Sequence, residues 1–239
     1  MSALLQVSGL GKRFGGFTAL ADVDLAVGPG ERLGLIGPNG SGKSTFVNCI
    51  SGDFPRHGGE VLFKGEALAG LKPHERARRG LSRTFQLPRP FRSLSVLENV
   101  TVPLRFGAES LGADEVHGRA MTCLELVGLA DKAALHPHSL TQVDLRKLEL
   151  ARALAPEPAL LIADEVMAGL SHSEVDQILE LLFALNGRGA AIIMIEHVMR
   201  AVTAFSERLA VFVAGRKVAE GDPQTVLATP EVEAAYLGT

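Results

Sequence analysis

One run, Gly37-Pro38-Asn39-Gly40-Ser41-Gly42-Lys43-Ser44-Thr45, limits what this chain can fold into more than any other feature. It fits G-x-x-x-x-G-K-[ST], a loop that wraps phosphates between a strand and a helix. Phosphates require many donors in close approach. Glycines permit the tight turn and remove the Cβ atoms that would hold a phosphate away. Backbone N–H groups then converge at the positive end of the following helix. Lys43 supplies a point charge for the β- and γ-phosphates, and the Ser44 hydroxyl is a ligand for Mg²⁺. The flanks agree with this reading. Residues 33–36, Leu-Gly-Leu-Ile, read as a short buried strand, and Phe46-Val47-Asn48-Cys49-Ile50 can begin a helix. At this composition a coincidental match is expected in roughly one such chain in a hundred.

A second constellation lies far downstream, in Leu160-Leu161-Ile162-Ala163-Asp164-Glu165. An apolar strand that ends in carboxylates sets them at its C-terminal end, where α/β sheets hold ligands. Asp164 is the candidate to complete the Mg²⁺ site, mainly through water. Glu165 is the candidate to orient and deprotonate an attacking water. An Asp-Glu pair after a strand is by itself an ordinary solvated turn; the phosphate loop changes its meaning.

The periodicity gives the organisation. The opening third reads as β-rich, with Gly58-Gly59-Glu60-Val61-Leu62-Phe63-Lys64-Gly65 as a short strand between tight turns. Residues 93–155 read as helical, with Leu145, Leu148, Ala151 and Leu154 at helical spacing and prolines at the edges. Residues 159–163 and 190–195 are buried-strand candidates with a helix over 174–185 between them. Strand, helix and strand of these lengths require a parallel pair. The expected fold is an α/β nucleotide-binding core with a helical insertion.

Composition excludes several classes. No apolar run in these 239 residues approaches the roughly 18–20 needed to span a bilayer. The start, Met1-Ser2-Ala3-Leu4-Leu5-Gln6, lacks the pattern of a signal peptide. Cys49 and Cys123 cannot make a disulfide framework and read as two reduced thiols. A net charge of −3 argues against nucleic acid as a partner. That charge is uneven, because residues 72–92 carry +6. Within them Arg76, Arg79 and Arg83 would share one face of a helix. Such a face is either solvated or a docking surface for acidic loops or anionic headgroups.

Taken in order, these motifs resemble the ATP-binding subunits of ABC transporters over nearly the whole chain. The resemblance implies an α/β fold: a P-loop ATPase core with an antiparallel β subdomain and an inserted helical subdomain. It implies the division 1–87 for the first part of the core, with the β subdomain, 88–157 for the helical subdomain and 158–239 for the second part of the core. Lys12-Arg13-Phe14-Gly15-Gly16 resembles the stretch whose aromatic stacks on adenine, which implies Phe14 for that role. Arg83-Thr84-Phe85-Gln86 is similar to the family's glutamine loop. That likeness implies that Gln86 touches Mg²⁺ or the attacking water and reports ATP occupancy to a membrane partner. Ala168-Gly169-Leu170-Ser171 resembles the loop that crosses to an opposite subunit. Ile195-Glu196-His197 resembles the switch segment, whose histidine bonds the γ-phosphate. A finer likeness, to importers of branched-chain amino acids, urea and amides, rests on three stretches. They are residues 14–20, residues 83–100, and the tail from Glu196-His197-Val198 to Ala235-Tyr236-Leu237-Gly238.

The resemblance implies ATP and Mg²⁺ as ligands and a peripheral location on the cytoplasmic face of the membrane. It also implies membrane-spanning permease subunits, a second ATPase subunit in a homo- or heterodimer, and a solute-binding protein acting indirectly. One segment departs from the family. Where Leu-Ser-x-Gly-Gln is expected, this chain reads Leu140-Thr141-Gln142-Val143-Asp144. Thr141 keeps a hydroxyl. Val143 replaces a glycine that admits the partner's γ-phosphate, and Asp144 sets a carboxylate in the first turn, where it would oppose that phosphate. Alternatively, Thr141 and Asp144 simply cap the helix. Val166 also replaces the proline that follows the Asp-Glu pair. An ABC-type regulatory protein with little turnover is therefore the alternative reading. A P-loop GTPase is disfavoured, because no Asn-Lys-x-Asp tetrapeptide occurs.

Overall fold

The computed structural model describes residues 3–54, 58–107 and 109–237; Met1, Ser2 and Gly238 of the stretches named above lie outside it. Along the chain, β1 (Leu5–Phe14), β2 (Phe17–Val27) and β3 (Arg32–Ile36) precede α1 (Lys43–Ser51). Next come β4 (Gly58–Phe63), β5 (Glu66–Ala67), the short helix α2 (Pro73–Arg78) and β6 (Leu81–Arg83). The helices α3 (Val96–Arg105), α4 (Ala113–Leu126) and α5 (Gln142–Leu154) follow, with 3-10 turns at Ala130–Lys132 and Pro137–Ser139. The chain continues through β7 (Leu160–Asp164), α6 (His172–Asn186), β8 (Ala191–Ile195), α7 (Met199–Phe205) and β9 (Arg208–Val213). It ends with β10 (Arg216–Gly221), α8 (Pro223–Leu227) and α9 (Pro230–Leu237).

Two sheets result. The antiparallel one runs β2-β1-β4-β5 and the other β10-β9-β3-β8-β7-β6, in which β9, β3, β8, β7 and β6 are parallel. Both faces of the parallel sheet are covered, which is why β8 and the middles of β3, β7 and β9 are apolar. Successive side chains of a strand face opposite ways. Leu160 and Ile162 of β7 thus join the apolar cluster shared with β1, β2 and α1. Leu161 and Ala163 join the cluster formed with α3 to α7. β8 divides likewise, with Ile193 and Ile195 on the first side and Ile192 and Met194 on the second. Burying each such Leu or Ile stabilises the fold by about 1.5–3 kcal/mol.

The expected strands and the expected helix over 174–185 are all present, and β7 and β8 pair in parallel. The helical stretch 93–155 is three helices and two 3-10 turns, with Pro103 inside α3. Ser95 caps α3: its Oγ accepts from the Glu98 N–H at 3.2 Å, and Glu98 accepts from the Ser95 N–H at 2.7 Å.

The arginine face is not as expected. Helix α2 ends at Arg78, so Arg76, Arg79 and Arg83 do not share one helical face. Arg76 is buried, and its guanidinium donates to the carbonyls of Cys49, Ile50, Leu68 and Leu71 at 2.5–3.1 Å. It satisfies the C-terminal end of α1, whose last carbonyls lack helical partners. Arg79 follows the helix and lies 3.7 Å from Glu66. Arg83 sits on β6 and is ion-paired with Asp53 and Asp164. The exposed cations of this stretch are Lys72, Arg78, Arg89 and Arg92.

Arg76→Ala would leave buried acceptors without a donor. It is expected to lower stability by about 3–5 kcal/mol in urea unfolding. Arg92→Ala, at an exposed site, should change stability by less than about 0.5 kcal/mol. Equal effects would show that Arg76 is not a structural anchor.

Candidate functional site

The parallel sheet brings three loops to one edge. Leu35 of β3 and Asp164 of β7 both pair with Ile195 of β8, so the strands end at the same level. Gly37, Glu165 and Glu196-His197 leave the sheet side by side.

The phosphate loop leaves β3 at Gly37, where φ is 152° and a Cβ would lie 2.2 Å from the Phe212 carbonyl oxygen. At Gly42, φ is 103° and a Cβ would lie 2.7 Å from the Ala19 carbonyl oxygen. The loop is therefore wedged against β9 on one side and β2 on the other, and only glycine fits at these points. Lys43 opens α1 and is buried; its Nζ donates to Gly37 O at 2.7 Å and Pro38 O at 3.1 Å. Burial pushes its ammonium below the usual lysine range, against the pull of Glu165 and Asp164. Ser41 is buried, Pro38, Gly42 and Thr45 are half-buried, and Asn39, Gly40 and Ser44 are exposed. Phe14 is not a core residue. It is 45% exposed at the tip of the β1–β2 hairpin, edge-on to Phe54, with Lys12 Nζ 4.9 Å from its ring centre.

The carboxylates lie opposite. Glu165 donates its N–H to Ile195 O at 2.8 Å and then turns with φ 49°, a left-handed backbone that is uncommon for a non-glycine residue. Its side chain is held at both oxygens. Gln86 Nε2 donates to Oε2 at 2.5 Å, and His197 Nε2 lies 3.0 Å from Oε1. Three residues singled out separately in the sequence thus meet on one carboxylate. Asp164 is buried; its Oδ2 accepts from Arg83 at 2.8 Å and its N–H donates to Thr84 Oγ1 at 3.1 Å.

The loop's chemistry suits a nucleotide's phosphates: the buried Lys43 ammonium stands at the start of α1, and at the exposed Gly40 a Cβ would meet nothing within 4 Å. Among the described residues no group of three or more His, Cys, Asp or Glu could cage a metal. A Mg²⁺ ion here would rely on phosphate oxygens besides Ser44, Asp164 and Gln86, as Mg²⁺ commonly does.

In the segment that departs from the family, the structure shows the capping arrangement that was one of its two sequence readings. Thr141 caps α5: its Oγ1 accepts from the Asp144 N–H at 3.2 Å, and Asp144 Oδ2 accepts from the Thr141 N–H at 3.3 Å. Lys132 Nζ lies 2.7 Å from the same oxygen. Burial pushes the Asp144 carboxyl up, but Lys132 and Thr141 together hold it below the usual carboxylate range. Asp144 thus caps its own helix, the alternative that the sequence left open, and its charge is paired with Lys132. Val143 is half-buried and packs on the core. Gln142 is exposed.

Sequence reasoning missed two buried charges beneath this site. Arg146, on α5, donates to Gln86 O and, at 3.3 Å, to Ala168 O. Glu196 accepts from the Met167 N–H at 2.7 Å and the His197 N–H at 3.3 Å. Burial pushes the Glu196 carboxyl up to about 7; the two N–H groups oppose this, Glu165 adds to it and Arg146 counters it. Glu196 lay in a quoted motif, but nothing local signals its burial. Both thiols are without a disulfide, and burial pushes Cys123 up to about 11.

Comparison with known proteins agrees with this geometry. The ABC transporter family profile matches residues 20–168. The chain is 39% identical to the high-affinity branched-chain amino acid transport ATP-binding protein LivG of Escherichia coli strain K12, covering 98% of each. It is 34% identical to the equivalent protein BraF of Pseudomonas aeruginosa, again over 98% of each. Among solved structures, the ADP conformation of MJ1267, an ATP-binding cassette of an ABC transporter, superposes with a TM-score of 0.92. Its identity is 30% and both chains are covered completely.

Glu196 makes stability depend on pH. Its folded value of about 7 lies above the ordinary 4.5. The stability it contributes is therefore fully present below about pH 4.5 and is lost as pH rises toward 7. Relative to Glu196→Gln, the wild type should lose up to about 3 kcal/mol between about pH 5 and pH 7.5 in urea unfolding. An equal difference at both pH values would refute this.

Proposed function

This chain belongs to the ABC transporter family, and on that ground we propose that it is the ATP-binding and ATP-hydrolysing subunit of an import-type transporter. The solutes are branched-chain amino acids or related small polar molecules, the class named for LivG and BraF. The observation that carries the reading is Glu165. It has a left-handed backbone, is bonded at both oxygens to Gln86 and His197, and interacts with Lys43.

In this reading residues 37–45 hold the triphosphate, with Lys43 on the β- and γ-phosphates and Phe14 against adenine. Glu165 accepts the proton of the attacking water, and Gln86 and His197 aim its carboxylate. His197 also reaches the γ-phosphate. Ser44, Asp164 and Gln86 would hold Mg²⁺, which when bound neutralises phosphate charge. Catalysis is then mainly positioning and charge stabilisation. The units are 1–87 and 158–239 for the core and 88–157 for the helical subdomain.

Two such chains would face each other head to tail, with each ATP between one loop 37–45 and the other chain's Thr141-Gln142-Val143-Asp144. The Gln142 and Val143 amides, which the capping box leaves over in the first turn of α5, would be the donors there. The low-turnover alternative leaned on Val143 and Asp144. The pairing of Asp144 with Lys132 and the packing of Val143 against the core support the hydrolysing reading over it.

The partners are membrane-spanning permease subunits, reached directly, and a solute-binding protein, reached through them. Nucleic acid is no partner. No helix among the described residues is long and apolar enough to cross a membrane. A peripheral place on the cytoplasmic face follows from the permease contact. A groove of about 370 Å³ beside Gln86 suits that contact; Phe85, Phe91, Val102 and Phe106 line it. Its surroundings carry Leu87 and Phe106, 73% and 70% exposed, beside the exposed cations Arg89 and Arg92. Apolar anchors ringed by charge are what a partner helix requires.

Lys43→Ala should abolish most ATP binding. Glu165→Gln should keep binding while lowering turnover at least about 100-fold. Calorimetry and steady-state ATPase rates separate the two, and a fully active Glu165→Gln variant would remove the base assignment. Arg89→Glu combined with Arg92→Glu should weaken association with the permease about tenfold, more at low salt. Unaltered association would place the contact elsewhere.

A further inference from the structure

Glu165 is held by two side chains, and each of those has its own backbone held by a buried charge. Gln86 Nε2 and His197 Nε2 grip the two carboxylate oxygens. The carbonyl of Gln86 accepts from Arg146, and the N–H of His197 donates to Glu196. The same two buried groups also fix the chain that follows Glu165. Glu196 takes the Met167 N–H at 2.7 Å, and Arg146 reaches Ala168 O at 3.3 Å. Arg146 is 4% exposed and Glu196 2%.

We infer that Arg146 and Glu196 are positioning residues that jointly set the aim of Glu165. Arg146 acts from α5 and Glu196 from the end of β8. The inference rests on the assignment of Glu165 as the base but concerns residues outside it.

The cost of these groups argues that they are kept for geometry. A buried guanidinium whose hydrogen bonds go to neutral carbonyls is expensive even with Glu196, Glu149 and Glu165 within electrostatic reach, and Arg146 Nε has no hydrogen-bond partner. An apolar residue would pack there at lower cost. What it could not do is span two loops. The planar fork of arginine donates in two directions at once, whereas a lysine ammonium is a single point on a flexible stem. Arg146 therefore ties residues 86 and 168, which lie on different loops, to the first turns of α5. If α5 shifts, both loops shift, and with them the carboxylate between Gln86 and His197. Active-site groups need such rigid support, because a displacement of about 1 Å can cost on the order of 100-fold in rate.

The test uses the full chain and two variants, the charge-preserving Arg146→Lys and the near-isosteric Glu196→Gln, with hydrogen exchange and ATPase kinetics. Arg146→Lys should accelerate amide exchange about tenfold in residues 84–88 and 165–170. The same variant should leave residues 37–45 unchanged. Glu196→Gln should accelerate only 165–170 and the start of 197–202. Both should lower kcat about tenfold with KM for ATP within about twofold. Unchanged exchange in 165–170 in the variants that fold overturns the inference, whatever the turnover. A uniform rise that includes 37–45 also overturns it, because it marks general destabilisation. A wild-type chain that hydrolyses no ATP would sink the proposed function instead, while the exchange pattern would still decide this inference.

Discussion

The shared level at which β3, β7 and β8 end is the constraint on which the site depends. Ile195 faces Leu35 on one side and Asp164 on the other. The Glu165 N–H extends that ladder one residue beyond β7 by bonding Ile195 O. The chain must then turn at once, and it does so through the left-handed φ of Glu165. Such a backbone costs about 1–3 kcal/mol and persists only where its surroundings fix it. Here the surroundings are apolar strands buried on both faces, which cannot slip register without exposing a whole set of side chains. Sheet packing thus supplies the rigidity that the carboxylate uses.

The phosphate loop, the strand ahead of Asp164 and the His197 segment were legible in the sequence because each is a local pattern. Glycines at Gly37 and Gly42, an apolar run and a charged end are written within a few residues of one another. The meeting of Gln86, Glu165 and His197 was legible only in outline. Each had a place in an order of motifs, but the order carries no distances. The buried charges were not legible. Arg76 finds carbonyls at Cys49 and Ile50, and Arg83 finds Asp164, 81 residues away. Hydrophobic periodicity reports which faces are apolar; it is silent on a cation that buries itself to satisfy helix-end carbonyls.

Charge counting misleads for the same reason at two places. The excess over residues 72–92 suggested a basic face, yet all three arginines assigned to it point inward or pair with acids. Asp144 suggested a repulsive carboxylate, yet it closes a capping box and meets Lys132. A side chain at the third position of a helix can reach its own N-cap backbone more readily than any external anion. A residue that breaks a family pattern can therefore leave the local structure intact by doing another job in the same turn.

These corrections point one way. Arg83, Arg146, Lys43, Asp164 and Glu196 are buried or nearly so, and all lie within electrostatic or hydrogen-bond reach of the two adjacent acids 164 and 165 or of their anchors. Removing so many charges from water is costly, and a sheet stabilised by apolar packing is what can support that cost. In return, fixed charges in a water-poor setting interact more strongly than solvated ones and need no reorganisation during reaction. The two apolar clusters and the polar edge are therefore parts of one device. The clusters hold the strands still, and the strands hold charges in positions that water would otherwise disperse. A substitution that loosens the clusters under β7 or β8 would therefore reach Glu165 as directly as one made at Gln86 or His197.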